Sequence, residues 1–200
     1  MHFVTHYRKR SPHERGFTLI ETLVAVSILL VVVTGPMTVA VKGMQSSYFA
    51  NEQTTAVFLA QEAVESIQKL RDDTALDVLN GGGSDTRAWF GALDPVCTGA
   101  NGCDIDVTDG SFTDCTSDGS ECILEINPAQ SVNNPIYGYG SGWTSSPYMR
   151  RIYLNDASPL GDGSQIGVTV EVSWESTLFT SGPRTVVLQT WVYDQYKRFE

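Results

Sequence analysis

Histidine is missing from most of this chain, because His2, His6 and His13 are the only three. The sequence after Gly16 therefore lacks an imidazole for general acid–base or Ser–His chemistry. It also lacks the G-x-S-x-G, H-E-x-x-H and P-loop patterns. These absences argue against an enzyme, and the sequence offers no candidate catalytic residue.

Basic residues are scarce as well. The chain has 13 Lys and Arg against 23 Asp and Glu, a formal net charge of −10. Several of the basic residues precede Gly16, so the remainder is more acidic still. An acidic surface repels phosphate backbones, and we expect no nucleic-acid binding by the bulk of the chain.

A long run with a single charged residue, Glu21, occupies residues 17–41. At about 1.5 Å per residue, roughly 20 apolar residues span the hydrocarbon core of a bilayer as a helix. The run therefore predicts a transmembrane helix. Because basic segments stay in the cytoplasm, residues 1–16 should lie inside the cell and the C-terminal part outside.

Glu21 is out of place in such a helix. An ionised carboxylate in a membrane-spanning segment costs about 2.5–3.5 kcal/mol on insertion scales. A chain that needed only an anchor would have an apolar residue there, so Glu21 requires a partner. A free α-amino group on Phe17, exposed if the chain were cut after Gly16, is the candidate.

The residues at the start of the run are Gly16, Phe17, Thr18, Leu19, Ile20 and Glu21. This stretch, behind a basic leader, resembles the prepilin signature of the type IV pilin-like superfamily, which includes pilins, minor pilins and type II secretion pseudopilins. The resemblance implies that prepilin peptidase cuts after Gly16 and that Phe17 is then N-methylated. It implies that Glu21 neutralises the terminal amine of a neighbouring subunit during assembly.

The resemblance also implies partners and a location. The partners are prepilin peptidase, other pilin or pseudopilin subunits, an inner-membrane assembly platform and the lipid bilayer. The protein would cross the inner membrane once and reach the cell surface or pilus after assembly. The expected function is that of a minor pilin or pseudopilin in a filament for secretion, adhesion, DNA uptake or motility. Pilus and type II secretion roles both stay open.

Other interpretations of the N-terminal segment fit less well. A secretory signal has an apolar region of about 7–15 residues followed by an A-x-A-like site. The present run is longer, and no clean A-x-A site precedes Lys42. A plain anchor fits the length but leaves Glu21 unexplained. The alternative function is a membrane-tethered extracellular binding or adhesion domain that does not polymerise.

Gly35 and Pro36 interrupt the apolar run. Proline removes one backbone hydrogen bond and clashes with the preceding turn, which predicts a kink or local melting. Their position resembles the helix-breaking positions of pilins. Alternatively, the pair ends the spanning part and the helix resumes after it.

Residues 42–73 predict an amphipathic continuation of the helix that ends near residues 72–74. Apolar residues recur at three- and four-residue spacings, which is typical of a helix with one buried face. They are Ala56, Ala60, Ala63, Ile67 and Leu70, with Val57 and Val64. The sequence of residues 59–65 resembles minor pilins described as pilus modification or assembly proteins.

Residues 74–147 form a Gly-, Ser- and Asp-rich region that we expect to be mainly loops. Its four cysteines are candidates for disulfides, since an even count is typical of exported, loop-rich proteins. Three pairings are possible, and proximity favours Cys97 with Cys103 and Cys115 with Cys122. A zinc site is disfavoured because the cysteine spacings are too long and no histidine is near.

Asp104, Asp106 and Asp109 are weak candidates for a calcium site in this region, because aspartate oxygens are suitable ligands. Their spacing does not match an EF-hand loop. Some pseudopilins bind calcium in loops. The simpler interpretation is a solvated acidic loop held by disulfides, with no cofactor.

Residues 148–200 predict a small antiparallel sheet. The segment 151–154 is a short strand, 166–174 alternates apolar and polar residues with period two, and 184–193 is the next strand. Short connections favour antiparallel pairing. The apolar face should pack on the helix near residues 57–67. The fold class is therefore α+β and pilin-like.

Overall fold

The computed structural model describes residues 16–83, 85, 88–130, 135–155, 165–176 and 182–194. The chain divides into two compact units, Met1–Ser46 and Ser47–Glu200. We call residues 17–46 the stem and the second unit the head, and describe each by itself. The predicted leader lies outside the described residues except for Gly16.

Helix α1, Leu19–Leu79, provides the stem and the first element of the head. In the stem it is apolar all round, and its most apolar 18-residue window has a mean hydropathy of 2.4 with 0% buried. By length and composition this segment is able to cross a membrane, as predicted. A helix that is apolar on every side is typical of lipid or of close packing with other helices.

The end of α1 differs from the prediction of residues 72–74. The helix continues to Leu79 because Ala75 is fully buried and the Thr74 hydroxyl donates to the Leu70 carbonyl. It stops at Gly81, whose φ of 83° is a left-handed conformation that favours glycine. The Gly82 and Gly81 amides donate to the carbonyls of Asp77 and Val78, which is a Schellman motif. The glycines at 81 and 82 therefore end the helix.

The head contains a sheet of seven strands among the described residues. They are β1 Cys103–Ile105, β2 Phe112–Asp114, β3 Ile123–Ile126, β4 Tyr137–Gly138, β5 Thr144–Asn155, β6 Gln165–Trp174 and β7 Arg184–Tyr193. Every pairing is antiparallel. Strand β5 is central: one edge pairs with β6, which pairs with β7. The other edge of β5 is shared by β3, followed by β4, and by β1, followed by β2.

The α+β fold class is confirmed, and the C-terminal strands agree with their predicted positions. Strand β5 is longer than the predicted segment 151–154, because it pairs along both edges. The even-numbered residues of β6 face the core. They are Ile166, Val168, Val170, Val172 and Trp174, all buried.

The head part of α1 packs against this sheet through small residues. Ala56, Ala60 and Ala63 are fully buried, as predicted, and lie in one core cluster with Val168 and Val170. Small side chains let the helix approach the strands closely. Val57 differs from the prediction, since its side chain remains 36% exposed.

Glu52 fixes the first turns of the helix in the head to the sheet. Its carboxylate accepts hydrogen bonds from Trp174 Nε1 at 3.3 Å and from Ser176 Oγ at 3.2 Å. Its backbone carbonyl accepts one from the Tyr148 hydroxyl at 3.3 Å. These contacts join α1 to β5 and to the end of β6.

The region predicted as loops contains more regular structure than expected. Helix α2, Ala88–Cys97, buries Trp89, Leu93 and Cys97 on one face. Their spacing of four residues is a helical signal that the loop prediction overlooked. Strands β1 to β4 also fall in this region, but at two to four residues each they are too short to show periodicity.

Candidate processing and assembly site

The helix begins directly after the predicted cleavage site. Gly16, Phe17 and Thr18 precede the first helical residue, Leu19. The Glu21 amide donates to the Thr18 hydroxyl at 3.3 Å, so Thr18 is the N-cap residue. A threonine followed three residues later by glutamate is the spacing of a capping box, which is visible in the sequence alone.

The Gly16–Phe17 segment is accessible. Phe17 is 80% exposed. A Cβ atom added at Gly16 would meet no described atom within 4 Å, and Gly16 does not have a left-handed φ. The fold therefore imposes no requirement for glycine at this position. Any requirement for a small residue would come from a processing enzyme.

Glu21 differs from four hydroxyl groups of the stem, which bond to their own helix. The hydroxyls of Thr22, Ser27, Thr34 and Thr38 each donate to a carbonyl one turn back in their own helix, at 2.8–2.9 Å. Within the described part of the chain, the Glu21 carboxylate has no hydrogen-bond or ion-pair partner. It lies in the first helical turn, where the helix dipole favours a negative charge.

Helix α1 continues through Gly35 and Pro36 without interruption. Local melting at this pair, one of the predicted alternatives, is therefore not present in the single subunit. Proline removes only one amide donor, and the neighbouring turns retain theirs. A kink, or a break in an assembled state, stays a prediction.

The head holds both disulfides that sequence proximity favours. Cys97 is bonded to Cys103, which links α2 to β1, and Cys115 is bonded to Cys122. All four cysteines are at most 2% exposed. Each bond closes a small loop on the side of the sheet formed by β1 and β2.

A buried charged cluster joins three elements of the head. Arg150 and Asp104 are fully buried, and Arg150 Nε donates to Asp104 Oδ1 at 2.6 Å. The other guanidinium nitrogens donate to the Leu59 carbonyl at 3.1 Å, the Ile105 carbonyl at 2.7 Å and Glu62 Oε2 at 3.3 Å. The cluster thus connects β5, β1 and α1.

The protonation of this cluster follows from burial and attraction. Burial alone would lower the pKa of Arg150, but the charge of Asp104 and its hydrogen bond raise that pKa above its ordinary value. Burial raises the pKa of Asp104, whereas Arg150 and the hydrogen bond from Tyr139 lower it. The raised pKa of Asp104 favours its neutral form, whereas the raised pKa of Arg150 requires the charged carboxylate. We take the ionised pair as the native state, because the guanidinium keeps its proton and its Nε atom donates at 2.6 Å.

The three aspartates considered for calcium each accept hydrogen bonds from groups of the head. Asp104 binds Arg150 and accepts from the Tyr139 hydroxyl. Asp106 accepts from the Thr108 and Tyr139 amides at 2.9 and 3.2 Å, and Asp109 accepts from the Ser111 amide. No group of three or more His, Cys, Asp or Glu side chains among the described residues is arranged to hold a metal ion. A calcium site stays a prediction.

The loop closed by Cys115 and Cys122 satisfies its own acidic groups. Thr116 donates its hydroxyl to Asp118 and Glu121, and the Ser120 hydroxyl donates to Asp118 at 3.1 Å. The bond from Thr116 lowers the pKa of both acids. This arrangement is that of a compact, solvated acidic turn.

The comparison with known protein families gives one match. A family model described as the prokaryotic N-terminal methylation motif matches residues 11–35. No curated protein and no solved structure matches the chain.

The motif indicates a substrate of prepilin peptidase and a structural subunit rather than an enzyme. It implies assembly with other subunits. With the apolar helix, it indicates membrane anchoring and a C-terminal part outside the membrane. The chain therefore carries the prokaryotic N-terminal methylation motif, and its long N-terminal helix and antiparallel sheet are those expected of a type IV pilin-like protein.

Proposed function

We propose that this protein is a minor pilin or pseudopilin that is incorporated into, or primes, a type IV pilus or related filament. The observation that carries the proposal is the Glu21 carboxylate, which has no partner among the described residues, in a stem where the hydroxyls of Thr22, Ser27, Thr34 and Thr38 bond to their own helix. A subunit that stayed alone in the bilayer would gain nothing from this charge.

Cleavage after Gly16 would supply the missing partner. The new terminus at Phe17 is a positively charged amine, and N-methylation keeps that charge. An amine on one subunit and Glu21 on its neighbour form an ion pair in an environment of low dielectric constant, where the attraction is strong. Apolar packing between stems provides the contact area, and the ion pair sets the axial position.

The same proposal places the mature subunit in the inner membrane before assembly. The apolar part of the stem retains it there, and the acidic head lies outside. An assembly platform then moves subunits from the bilayer into the filament. Pilus and type II secretion filaments both fit this scheme. Recovery of the subunit from sheared surface filaments supports the pilus role, and a defect in protein export without surface filaments supports the secretion role.

Mass spectrometry of the mature N-terminus in the native host tests the processing step. We expect the chain to begin at N-methyl-Phe17. Replacing Gly16 by a bulky residue such as Leu should block cleavage without unfolding the head, because nothing packs against Gly16. An exported form that retains Met1, or a cut near Lys42, would contradict the proposal and favour a tethered domain that does not polymerise.

Glu21→Leu tests the assembly step. This variant should be cleaved and inserted normally but strongly depleted from the filament fraction relative to the membrane fraction. Thr22→Val is the matched control, since it removes a polar group from the same turn without touching the charge. Normal assembly of Glu21→Leu would show that the carboxylate has no role in subunit pairing.

A further inference from the structure

The head has a small pocket on the face of the sheet opposite α1. Residues with odd numbers in β5, β6 and β7 lie on this outer face, because the even-numbered ones of β6 face the core. The pocket has a volume of about 160 Å³. Its lining on this face comes from Asn155, Gly167, Thr169, Gln189 and Trp191.

Trp191 forms the apolar wall of this pocket, directly opposite Gly167 in the β6–β7 pairing. A Cβ atom added at Gly167 would lie 3.3 Å from Cζ3 of Trp191 and 3.4 Å from both its Cη2 and the Asn155 carbonyl oxygen. The missing side chain therefore lets the six-membered ring of the indole lie close to strand β6. Trp191 nevertheless remains 41% exposed, so part of the ring is open to solvent.

The remaining side chains of the pocket are neutral hydrogen-bonding groups. Asn155 and Gln189 each provide an amide that donates and accepts, and Thr169 provides a hydroxyl. The described residues that line the pocket include no titratable side chain. Two other pockets of the head differ in this respect, since one includes Lys69 and Asp73 and another includes Glu62 and Glu65.

We propose that this pocket binds one ring of a neutral saccharide. A pyranose has an apolar C–H face that packs on an exposed indole, and a rim of hydroxyls that pair with amides and a threonine hydroxyl. A charged ligand would find no counter-ion among the described residues of the lining. The inference does not rest on polymerisation, because it requires only that the head lies outside the membrane.

Binding of neutral trisaccharides to the full chain in lipid nanodiscs tests this inference. Maltoside detergents are avoided because their sugar headgroups would compete. The probes are maltotriose, cellotriose and chitotriose, and saturation-transfer NMR with isothermal titration measures binding. We expect at least one probe to bind, and we expect Trp191→Ala to weaken its affinity about tenfold or more.

Two further variants separate a pocket from a general surface effect. Gly167→Val should also weaken binding, because its side chain would displace the indole. Val187→Ala is the matched control: it lies on the same face of β7 and is 51% exposed, but it is not part of the pocket. It should bind as the wild type does.

Three outcomes would overturn the inference. They are no binding of any probe by the wild type, unchanged affinity in Trp191→Ala, or an equal loss in Val187→Ala. If Trp191→Ala leaves saccharide binding unchanged but lowers incorporation into filaments, this face is instead a contact between subunits. The mature N-terminus is unaffected by any of these results, so failure here is distinguishable from failure of the proposed function.

Discussion

Arg150 and Asp104 form a fully buried ion pair whose Nε and Oδ1 atoms are 2.6 Å apart. The same guanidinium donates to the Leu59 carbonyl on α1 and to the Ile105 carbonyl on β1. One side chain of β5 thus satisfies a backbone carbonyl of α1 and a backbone carbonyl of the neighbouring strand β1. This cluster and the hydrogen bonds of Glu52 are polar connections between the helix and the sheet in the head.

Arg150→Met should lower the free energy of unfolding by about 3–5 kcal/mol, because it leaves Asp104 buried without its counter-ion. Urea unfolding of the full chain in micelles, followed by tryptophan fluorescence, measures the change. Arg151→Met is the matched control, since the hydrogen bonds of Arg151 to described residues are long, at 3.4–3.5 Å to the carbonyls of Thr116 and Ser117. Equal losses in the two variants would contradict a special role for Arg150.

The double variant Arg150→Met with Asp104→Leu should recover much of that loss. Removing both charges leaves no uncompensated ion, and apolar residues of similar volume often replace a buried pair without a net cost. The recovery is measured under the same unfolding conditions. If the double variant is less stable than Arg150→Met alone, the hydrogen bonds to the backbone matter more than the charge balance.

Glu62 should give the head a pH-dependent stability. Burial raises the pKa of Glu62 above 4.5, Arg150 opposes this, and Asp104 and Glu65 add to it. The native state therefore binds more protons than the unfolded state between pH 4.5 and the raised value. The contribution of Glu62 to the free energy of unfolding is therefore fully present below that window and is lost as pH rises through it.

Glu62→Gln should remove this component of the pH dependence. One proton limits the slope to about 1.4 kcal/mol per pH unit, and we expect less, because the Glu62 side chain is 42% exposed. Unfolding curves from pH 4 to pH 7 for both proteins measure the difference. Parallel stability profiles for the wild type and the variant would show that Glu62 titrates alike in the two states.

Each disulfide should contribute about 2 kcal/mol to stability, the value expected for a short closed loop. The changes are Cys97→Ser with Cys103→Ser, and Cys115→Ser with Cys122→Ser. The first pair should cost more, because its bond joins α2 to β1, whereas the bond of the second pair closes a solvated acidic turn. Thermal unfolding of the two double variants checks the order, and a larger loss in the second would contradict it.

Thr18→Val should weaken the start of α1 without altering its apolar surface. The change removes the hydroxyl that accepts from the Glu21 amide, and a lost N-cap typically costs about 1 kcal/mol. Amide exchange at Glu21 in micelles should become about fivefold faster. Thr22→Val is the control, because its hydroxyl bonds to a carbonyl and caps no amide.

Features that are local in sequence were predictable. The cleavage motif is contiguous, the disulfides join neighbouring cysteines, and the alternation of β6 identifies its buried face from one strand alone. Periodicity also placed the small buried residues of α1 correctly. In each case the physical cause acts over one element or one short loop.

Features that depend on strand register were not predicted. Arg150 and Asp104 are 46 residues apart, and their contact exists only because β1 and β5 are neighbours in the sheet. One signal was available: Arg150 has the same strand parity as Ile152 and Leu154, so one arginine of the Arg150-Arg151 pair had to face the core. The Trp191 and Gly167 pair likewise follows from register between β6 and β7.

The inward bonding of the stem hydroxyls has a mechanical consequence. In a filament of such stems these four hydroxyls would form no lateral hydrogen bonds, so they would add no resistance to shear between neighbouring stems. The ion pair between Glu21 and a neighbouring Phe17 amine, one per subunit, would then supply the restoring force. Stretching such a fibre should be easy, reversible and sensitive to acid strong enough to protonate the Glu21 carboxylate.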